Sequence, residues 1–246
     1  MANISAYLRP ATLDDALASL SRPGTVVLGG GTGVNTADAS PEPVVVVDLQ
    51  ALHLDGIERH GEDGLLIGAT TTLQQLADDA SVPDVIRATA RREEPSTLRT
   101  LATVGGLVAT ADPSSELLAA LLVHGAEVAL AGRDGGHSIG LAALLADAGP
   151  LGGRIITAVR VEAGGVTAAA RTGRTRTDRA IVAAVARRTA DGKRRLALTG
   201  VAATPVLVAP EDPAGGLDPP GDFRGSAEYR RVLAAVLAQR ALAEVG

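Results

Sequence analysis

A short apolar strand that runs directly into a glycine-rich loop constrains the fold of this chain most. Thr25-Val26-Val27-Leu28 has the β-branched, apolar character of a buried strand, and Gly29-Gly30-Gly31-Thr32-Gly33-Val34 follows it. Because glycine has no side chain, the backbone N–H groups of such a loop can converge on an anion. The opening third of the chain is therefore predicted to be a small α/β unit whose loop can hold a phosphate.

The loop does not match two widespread nucleotide-binding motifs. Counted from Gly31, the last position of a G-x-G-x-x-G fingerprint falls on Thr36, and no Gly-Lys-Ser/Thr follows the loop. The next strand begins at Val44, only ten residues after Gly33. Because a parallel crossover needs about a dozen residues, usually helical, we predict no Rossmann unit here.

A second glycine pair, Thr103-Val104-Gly105-Gly106, lies about seventy residues downstream, before a predicted helix start at Asp112-Pro113. Two glycine loops that approach one ligand would suit a pyrophosphate held from both sides. Each charge-assisted N–H bond to it would contribute roughly 1.5–3 kcal/mol. The alternative is that both are ordinary turns, since 29 of the 246 residues are glycine.

Composition excludes several classes of site and partner. The chain has no cysteine, which excludes disulfides and thiolate-bound iron–sulfur clusters within it. The net charge of −5, without a long basic run, argues against nucleic acid as a partner. Aromatic residues make up 1% of the chain, so a flat cofactor would rest on aliphatic side chains or on rings of another subunit.

The sequence carries no targeting or membrane signal. The N-terminus, Met1-Ala2-Asn3-Ile4-Ser5, lacks the charged-then-apolar pattern of a signal peptide. No apolar run approaches the roughly 20 residues that cross a bilayer. We expect a cytoplasmic protein without membrane insertion.

Three lobes are predicted, at 1–58, 59–163 and 164–246, the first two sharing one ligand. Local patterns predict a Thr12-capped helix, a Thr71/Gln74 capping box and a less regular stretch from Ser96 to Thr110. The remaining predicted elements are a strand at 44–48, a strand at 64–69, a helix at 82–92, a helix from Asp112 to His124, strands at 127–131 and 154–162, antiparallel strands at 166–172, 180–188 and 194–208, and a terminal helix at 226–245.

Charged residues outside these motifs are given structural roles. The four histidines lack metal-ligand spacing, and His124 is interpreted as a cation at a helix C-terminus. Glu93-Glu94, Arg91-Arg92 and Arg187-Arg188 are predicted to be solvent-exposed. No catalytic side chain and no metal ligand is predicted.

Three ordered segments resemble the FAD-binding subunits of molybdenum hydroxylases, which include carbon monoxide dehydrogenase medium subunits and the xanthine dehydrogenase FAD domain. Gly29-Gly30-Gly31-Thr32-Gly33 resembles the family loop Ala-Gly-Gly-Thr-Asp. Leu98 to Gly106 resembles Ile-Arg-Asn-x-Ala-Thr-Ile-Gly-Gly, and Ala111 to Leu117 resembles Ala-Ser-Pro-x-x-Asp-Leu. Weaker similarities extend over nearly the whole chain.

The resemblance implies a mixed fold, α+β / α/β, with a two-lobed FAD-binding domain of the PCMH type and a small C-terminal α+β domain. The chain departs from the family pattern in several places: Gly33 replaces Asp, Leu107 replaces Asn, Glu116 replaces Asp and Arg171 replaces Lys. Leu98-Arg99-Thr100 also stands for Ile-Arg-Asn, and the C-terminal lobe is short. By resemblance, the FAD contacts are Val27, Leu28, Gly29, Gly30, Gly31, Thr32, Gly33, Val34, Thr103, Val104, Gly105, Gly106, Leu107, Glu116, Ile155 and Arg171.

The function implied by the resemblance is electron transfer. FAD on an oxidoreductase flavoprotein subunit would receive electrons from an iron–sulfur small subunit and pass them to NAD or another acceptor, while a molybdopterin large subunit oxidises the substrate. Two alternatives stay open. One is a non-catalytic scaffold that has lost FAD, which the changes at Gly33 and Leu107 favour. The other is a stand-alone flavin oxidase.

Overall fold

The protein is described here by a computed structural model that covers residues 3–33, 42–147, 151–175 and 178–246. Within these ranges the chain forms three separate sheets, of three, five and four strands, each covered by helices. No helix in the described part of the chain is long and apolar enough to cross a membrane.

The N-terminal sheet is parallel, in the order β1-β3-β2. Helix α1 packs Ala16 and Leu17 against Val47 of this sheet. Thr12 caps the helix, because its side-chain oxygen accepts the Asp15 N–H, as the sequence predicts. The elements are β1 (Ile4–Leu8), α1 (Leu13–Leu20), β2 (Thr25–Leu28) and β3 (Val44–Asp48).

The parallel pairing of β2 with β3 corrects an expectation from the sequence. Thr25 pairs with Val45 and Leu28 with Asp48, so both strands run in the same direction. Only ten residues lie between Gly33 and Val44, which is shorter than the connection that parallel strands need. The true connection starts after Leu28 and spans residues 29–43, because the glycine loop itself is part of the crossover.

The central sheet is antiparallel throughout, in the order β4-β5-β8-β6-β7. A short 3-10 turn, Gln50–Leu52, precedes it. Its strands are β4 (Ile57–His60), β5 (Gly64–Gly68), β6 (Glu127–Gly132), β7 (Gly135–Gly140) and β8 (Ile155–Glu162).

Six helices accompany the central sheet, and one of them is buried on every side. All eight residues of α6 are buried, since it contacts α3 and also the C-terminal sheet. The six helices are α2 (Leu73–Asp78), α3 (Asp84–Glu93), α4 (Ser96–Arg99), α5 (Val104–Thr110), α6 (Glu116–Val123) and α7 (Leu141–Ala146).

The C-terminal sheet is antiparallel, in the order β12-β11-β10-β9, with α8 packed across it. Residues 182–187 of β10 are all buried, because α8 and α6 both contact this strand. The N-cap of α8 is Ser226, whose side chain accepts the Tyr229 N–H. The elements are β9 (Val166–Thr172), β10 (Val182–Arg188), β11 (Arg194–Thr199), β12 (Val206–Val208) and α8 (Ala227–Val245).

Several local predictions are wrong in detail. The capping box sits one residue later than predicted, on Thr72 and Gln75. Helix α6 begins at Glu116 behind the N-cap Ser115, because Asp112 instead accepts the Ser114 N–H in a separate turn. The stretch predicted to be irregular contains α4 and α5, and the strand predicted at 194–208 is two strands.

The three-lobe division remains a proposal. The three sheets occupy residues 4–48, 57–162 and 166–208, and β4 begins at Ile57, so the predicted boundary after residue 58 passes through this strand. The N-terminal lobe also packs on the central one, because Leu49 shares a buried cluster with Ala131 and Ile155.

Candidate cofactor-binding cleft

A cavity of about 400 Å³ lies between the first glycine loop and helix α5, and we call it the cleft. Its volume is in the range of small-molecule binding sites. A second cavity of about 90 Å³, the Ile155 pocket, shares Val27, Gly29 and Thr103 with the cleft. A third of about 10 Å³, the Glu116 pocket, shares Glu93 and Arg179 with it. The three cavities are therefore neighbours along one groove.

The first glycine loop forms one wall of the cleft, and its glycines have different reasons to be there. A Cβ atom on Gly30 would lie 1.6 Å from the Leu101 carbonyl oxygen, and one on Gly29 would lie 2.7 Å from the Thr103 Oγ1. Gly31 has a φ of +77°, which disfavours side chains. At Gly33 a Cβ would make an ordinary 3.6 Å contact with Thr110. Close packing thus requires glycine at the base of the loop but not at Gly33.

The second glycine pair is the first turn of helix α5, and its N–H groups are already used within the chain. Val104 donates to the Thr71 carbonyl at 3.0 Å and Gly105 to the Ala69 carbonyl at 2.8 Å. Gly106 donates to the Thr103 side chain at 3.2 Å, and Leu107 to the Thr103 carbonyl at 2.9 Å. The second glycine pair is therefore the start of a helix and not an open loop, and its contact with a diphosphate stays a prediction.

Arg179 organises the acidic side of the cleft. Its guanidinium bonds to the Asp112 carboxylate, to the Glu94 Oε1 at 3.1 Å and to the Glu93 carbonyl at 3.2 Å. Burial lowers the pKa of Arg179, but the neighbouring acids outweigh burial, so its pKa is raised and it stays charged. Burial likewise raises the pKa of Asp112, while bonds from Ser114 and Arg179 outweigh it and lower that pKa overall.

Glu93 is a buried carboxyl that lines both the cleft and the Glu116 pocket. It is only 6% exposed; its Oε2 accepts the Leu117 N–H at 3.3 Å, and its Oε1 has no hydrogen-bond partner among the described residues. Burial is the main cause that raises the pKa of Glu93 to about 7, against the opposing charge of Arg179.

Glu93 was missed by the sequence analysis, which predicted a solvated Glu93-Glu94 pair. The signal was present in helical periodicity, because the buried residues of α3 recur every three to four positions and end on Glu93. The buried residues are Val85, Ile86, Thr89, Ala90 and Glu93.

Glu116 is held between two arginines at the far end of the groove. Its Oε1 accepts the Arg171 Nε–H at 2.7 Å, and its Oε2 accepts from Arg92 at 3.1–3.2 Å. The Glu116 side chain is 7% exposed. Arg92 is exposed, as predicted, and its side chain nevertheless pairs with Glu116 in this cluster.

Most of the site residues predicted from the sequence come together along the groove. The cleft is lined by Val27, Gly29, Gly30, Gly31, Thr32, Gly33, Thr103, Gly106 and Leu107. Gly105 and Ile155 line the Ile155 pocket, and Glu116 lines its own pocket. Leu28, Val104 and Arg171 line none of these three cavities, and Val34 lies outside the described residues.

Two other charged groups have roles different from those predicted. Burial lowers the pKa of His124 to about 4, so it is neutral at pH 7 and cannot act as a cation at the end of α6. Arg187, predicted to be exposed, is 3% exposed and donates to the Glu162 carboxylate at 2.6 Å. Arg187 of β10 thereby links the C-terminal sheet to the central lobe, whereas His124 bonds to the Glu162 carbonyl within the central lobe.

Comparisons with known proteins show the family of the chain. The sequence profile of a family described as "FAD binding domain in molybdopterin dehydrogenase" matches residues 2–161. The chain belongs to this family. The family confirms the resemblance stated from the sequence, and FAD as the cofactor of the domain.

Curated relatives align with this chain over nearly its whole length. The carbon monoxide dehydrogenase medium chain of Afipia carboxidovorans is 31% identical over 278 aligned residues, covering 96% of this chain and 94% of the relative. The uncharacterized protein YgfM of Escherichia coli is 26% identical over 249 residues, covering 95% of this chain and 93% of the relative. Homology to the medium chain identifies the chain as an oxidoreductase flavoprotein subunit.

Solved structures share its fold. A chain of the Cu,Mo-CO dehydrogenase in its cyanide-inactivated form has a TM-score of 0.87 at 27% identity, covering 100% of this chain and 98% of that chain. A chain of quinoline 2-oxidoreductase from Pseudomonas putida has a TM-score of 0.84 at 21% identity, covering 98% and 96%. The latter shows the fold alone. Together they confirm the predicted mixed α/β architecture.

Proposed function

We propose that this family member is the electron-transfer subunit of a molybdenum hydroxylase-type complex, with FAD in the cleft. The observation that carries the proposal is the glycine-walled cleft itself. It lies in a chain that aligns over 96% of its length with a carbon monoxide dehydrogenase medium chain.

The residues of the groove fit a flavin dinucleotide. The 29–33 loop brings backbone, without side chains at four of its five positions, to the cavity wall, where an anionic diphosphate can approach closely. Leu98 and Leu107 offer aliphatic surface on which a flat ring can rest, and no aromatic residue lines the cleft within the described part of the chain. The groove continues at both ends, toward Ile155 and toward Glu116.

Each part of the groove is assigned a role in holding the cofactor. Gly29 to Gly33, with Val34 by resemblance alone, would bind the diphosphate region. Thr103 and Gly106 form the opposite wall, and the Glu116–Arg171 pair bounds one end. FAD, when bound, supplies the capacity to accept electrons and pass them on; the chain positions it and shields it from water.

The partners of the proposed complex follow from the similarity to the carbon monoxide dehydrogenase medium chain, and the composition of this chain is consistent with them. Iron–sulfur clusters are held by cysteine thiolates, and the chain has no cysteine. The clusters would therefore lie on a small subunit, and the molybdopterin on a large one. NAD or another external acceptor would take the electrons. The cytoplasmic location stays a prediction.

An absorption spectrum of the purified full chain, before and after incubation with FAD and desalting, tests the proposal. Retained visible flavin absorption is the expected result. Gly33→Leu should lose the flavin while remaining folded, because it places a side chain in the cleft without a backbone clash. Gly140→Ala is the matched control, since a Cβ there meets nothing within 4 Å and Gly140 lines none of the three cavities.

The scaffold alternative makes the opposite prediction. Leu107 lines the cleft with an apolar side chain where the family has a polar one, which would weaken FAD binding. A chain that stays colourless alone and also after co-purification with iron–sulfur and molybdopterin subunits would contradict the electron-transfer proposal and favour a scaffold.

A further inference from the structure

Glu93 occupies the junction between the cleft and the Glu116 pocket, and it lines both. One carboxylate oxygen is fixed, because Oε2 accepts the Leu117 N–H at the start of α6. The other oxygen, Oε1, is buried and has no partner among the described residues. The Ser115 hydroxyl lies close enough to this carboxyl to hold its pKa down, but no hydrogen bond of normal geometry reaches Oε1. A buried polar atom left in this way is costly, so a ligand group is its natural complement.

Charged and polar groups lie around Glu93 on several elements, including β9, where Arg171 bonds to Glu116, and α4, where Arg99 donates to the Glu94 carbonyl. Its own helix carries Arg92 and is followed by Glu94. The turn before α6 contributes Asp112 and the Ser115 side chain, and α6 contributes Glu116. Arg179 approaches from the segment before β10.

The cleft is acidic when Glu93 is ionised. Its charged lining residues are Glu93, Glu94, Asp112 and Arg179, which together carry a net charge of −2. With Glu93 protonated the net charge is −1, and the carboxyl becomes a hydrogen-bond donor. An anionic ligand therefore favours the protonated acid, because the cleft is then less negative and because the acid can donate to an acceptor atom of the ligand.

We propose that Glu93 is a further cofactor-contacting residue of the cleft, whose carboxylic acid donates a hydrogen bond from Oε1 to an acceptor atom of the bound flavin nucleotide. The inference rests on the proposed function, because it takes FAD as the occupant of the cleft. It adds a neutral acid to the groups that hold the cofactor and makes cofactor binding dependent on pH.

The sign of the pH dependence follows from linkage. The pKa of Glu93 without ligand is about 7, and a ligand that accepts its proton in a hydrogen bond raises that pKa further. Binding is therefore tightest below pH 7 and weakens as the pH rises through 7, as the free chain loses the proton that the complex needs. We expect the Kd for FAD to rise about tenfold between pH 6 and pH 8.

Fluorescence titration of the full chain with FAD at pH 6, 7 and 8 tests the inference. Glu93→Gln keeps an acceptor for the Leu117 N–H and a permanent donor, so its Kd should not change with pH and should stay near the wild-type value at pH 6. Glu93→Met has a similar length without a donor, and it should bind about tenfold more weakly than Glu93→Gln at every pH.

Glu94→Gln is the matched control, because it removes the same charge from the same cleft but leaves Glu93 in place. Its Kd should keep the wild-type dependence on pH, and thermal melts should show all three variants folded. A wild-type Kd that does not change with pH, or a Glu93→Gln variant that retains the slope, would overturn the inference while leaving FAD binding intact. Absence of FAD binding at every pH, alone and with the partner subunits, would overturn the proposed function as well.

Discussion

The two glycine segments of this chain look alike in the sequence and do different things in the structure. Gly29 to Gly33 is an open loop after β2 that forms a wall of the cleft. Gly105 and Gly106 belong to the first turn of α5, and their N–H groups are bonded to Ala69 and Thr103. The first segment lines a cavity, whereas the second is packed, and a Cβ on Gly105 would lie 2.9 Å from Ala69.

The difference also exists within the first loop. A Cβ on Gly30 would clash with the Leu101 carbonyl, whereas a Cβ on Gly33 would make an ordinary 3.6 Å contact with the Thr110 side chain. Close contacts therefore require some of the glycines, whereas others only line the cleft. Substitutions can test the two kinds of position separately. Substitutions at the closely packed glycines should lower stability, whereas a substitution at Gly33 should lower the affinity for FAD.

The largest effect is expected at Gly30. Gly30→Ala places a Cβ 1.6 Å from the Leu101 carbonyl oxygen, so the loop or the backbone at Leu101 must move. We expect the free energy of unfolding to fall by about 3 kcal/mol or more. Urea denaturation measures this, with Gly140→Ala expected within about 0.5 kcal/mol of wild type. A stable Gly30→Ala protein would mean that the loop does not pack on residue 101 as described.

A third part of the cleft wall, Glu93, should respond to pH, unlike the glycine segments. Its pKa is raised from 4.5 to about 7, so the stability associated with its neutral form is present below pH 4.5 and is lost as the pH rises through 7. Without FAD, Glu93→Gln should match wild type at pH 4.5 and exceed it at pH 8 by up to about 3 kcal/mol.

Denaturant titrations of both proteins at the two pH values measure this difference. His124 titrates in the opposite sense, with its pKa lowered from 6.5 to about 4, but it is present in both proteins and cancels in the comparison. Equal stabilities at pH 8 would show that Glu93 is not desolvated.

Gly33→Leu should separate access from packing. The side chain enters the cleft, so the affinity for FAD should fall at least about tenfold, which corresponds to about 1.4 kcal/mol. The free energy of unfolding without FAD should stay within about 0.5 kcal/mol of wild type. Isothermal titration with FAD and a urea curve measure the two quantities. Unchanged affinity would show that the loop wall does not face the cofactor.

Gly105→Ala is expected to have the smallest effect, and this effect should be on the free energy of unfolding. The new methyl meets Ala69 at 2.9 Å, which costs stability, but alanine favours the helix by about 1 kcal/mol over glycine. We expect a net loss of about 1 kcal/mol, measured by urea denaturation. If this variant instead lost FAD affinity as strongly as Gly33→Leu, the contrast between the two segments would be broken.

Elements defined by local sequence are the ones that the sequence predicted well. Strand β2, the Thr12 cap and the long helix behind Ser226 all depend on neighbouring residues. Strand β7 was missed because Gly135-Gly136-His137 has no strand pattern, and it exists through its pairing with β6. Strand β1 was missed because it is an exposed edge strand held by β3.

The residues of the site also fall into two groups, those recognisable from local sequence and those brought together only by the fold. The first loop was found because its glycines are consecutive, and the resemblance supplied Glu116 and Ile155. Arg179 and Asp112 meet in the cleft from positions 67 residues apart, a contact that no local pattern encodes. Helical periodicity places Glu93 on the buried face of α3. Charged residues are so rarely buried, however, that the residue type predicts an exposed side chain.

A crystal structure of the full chain with FAD bound would locate the cofactor. We expect the diphosphate against residues 29–33, the rest of the cofactor along the groove between Ile155 and Glu116, and an acceptor atom within hydrogen-bond distance of the Glu93 Oε1. FAD bound outside this groove, or with its diphosphate away from the first glycine loop, would show that the cleft is not the cofactor site.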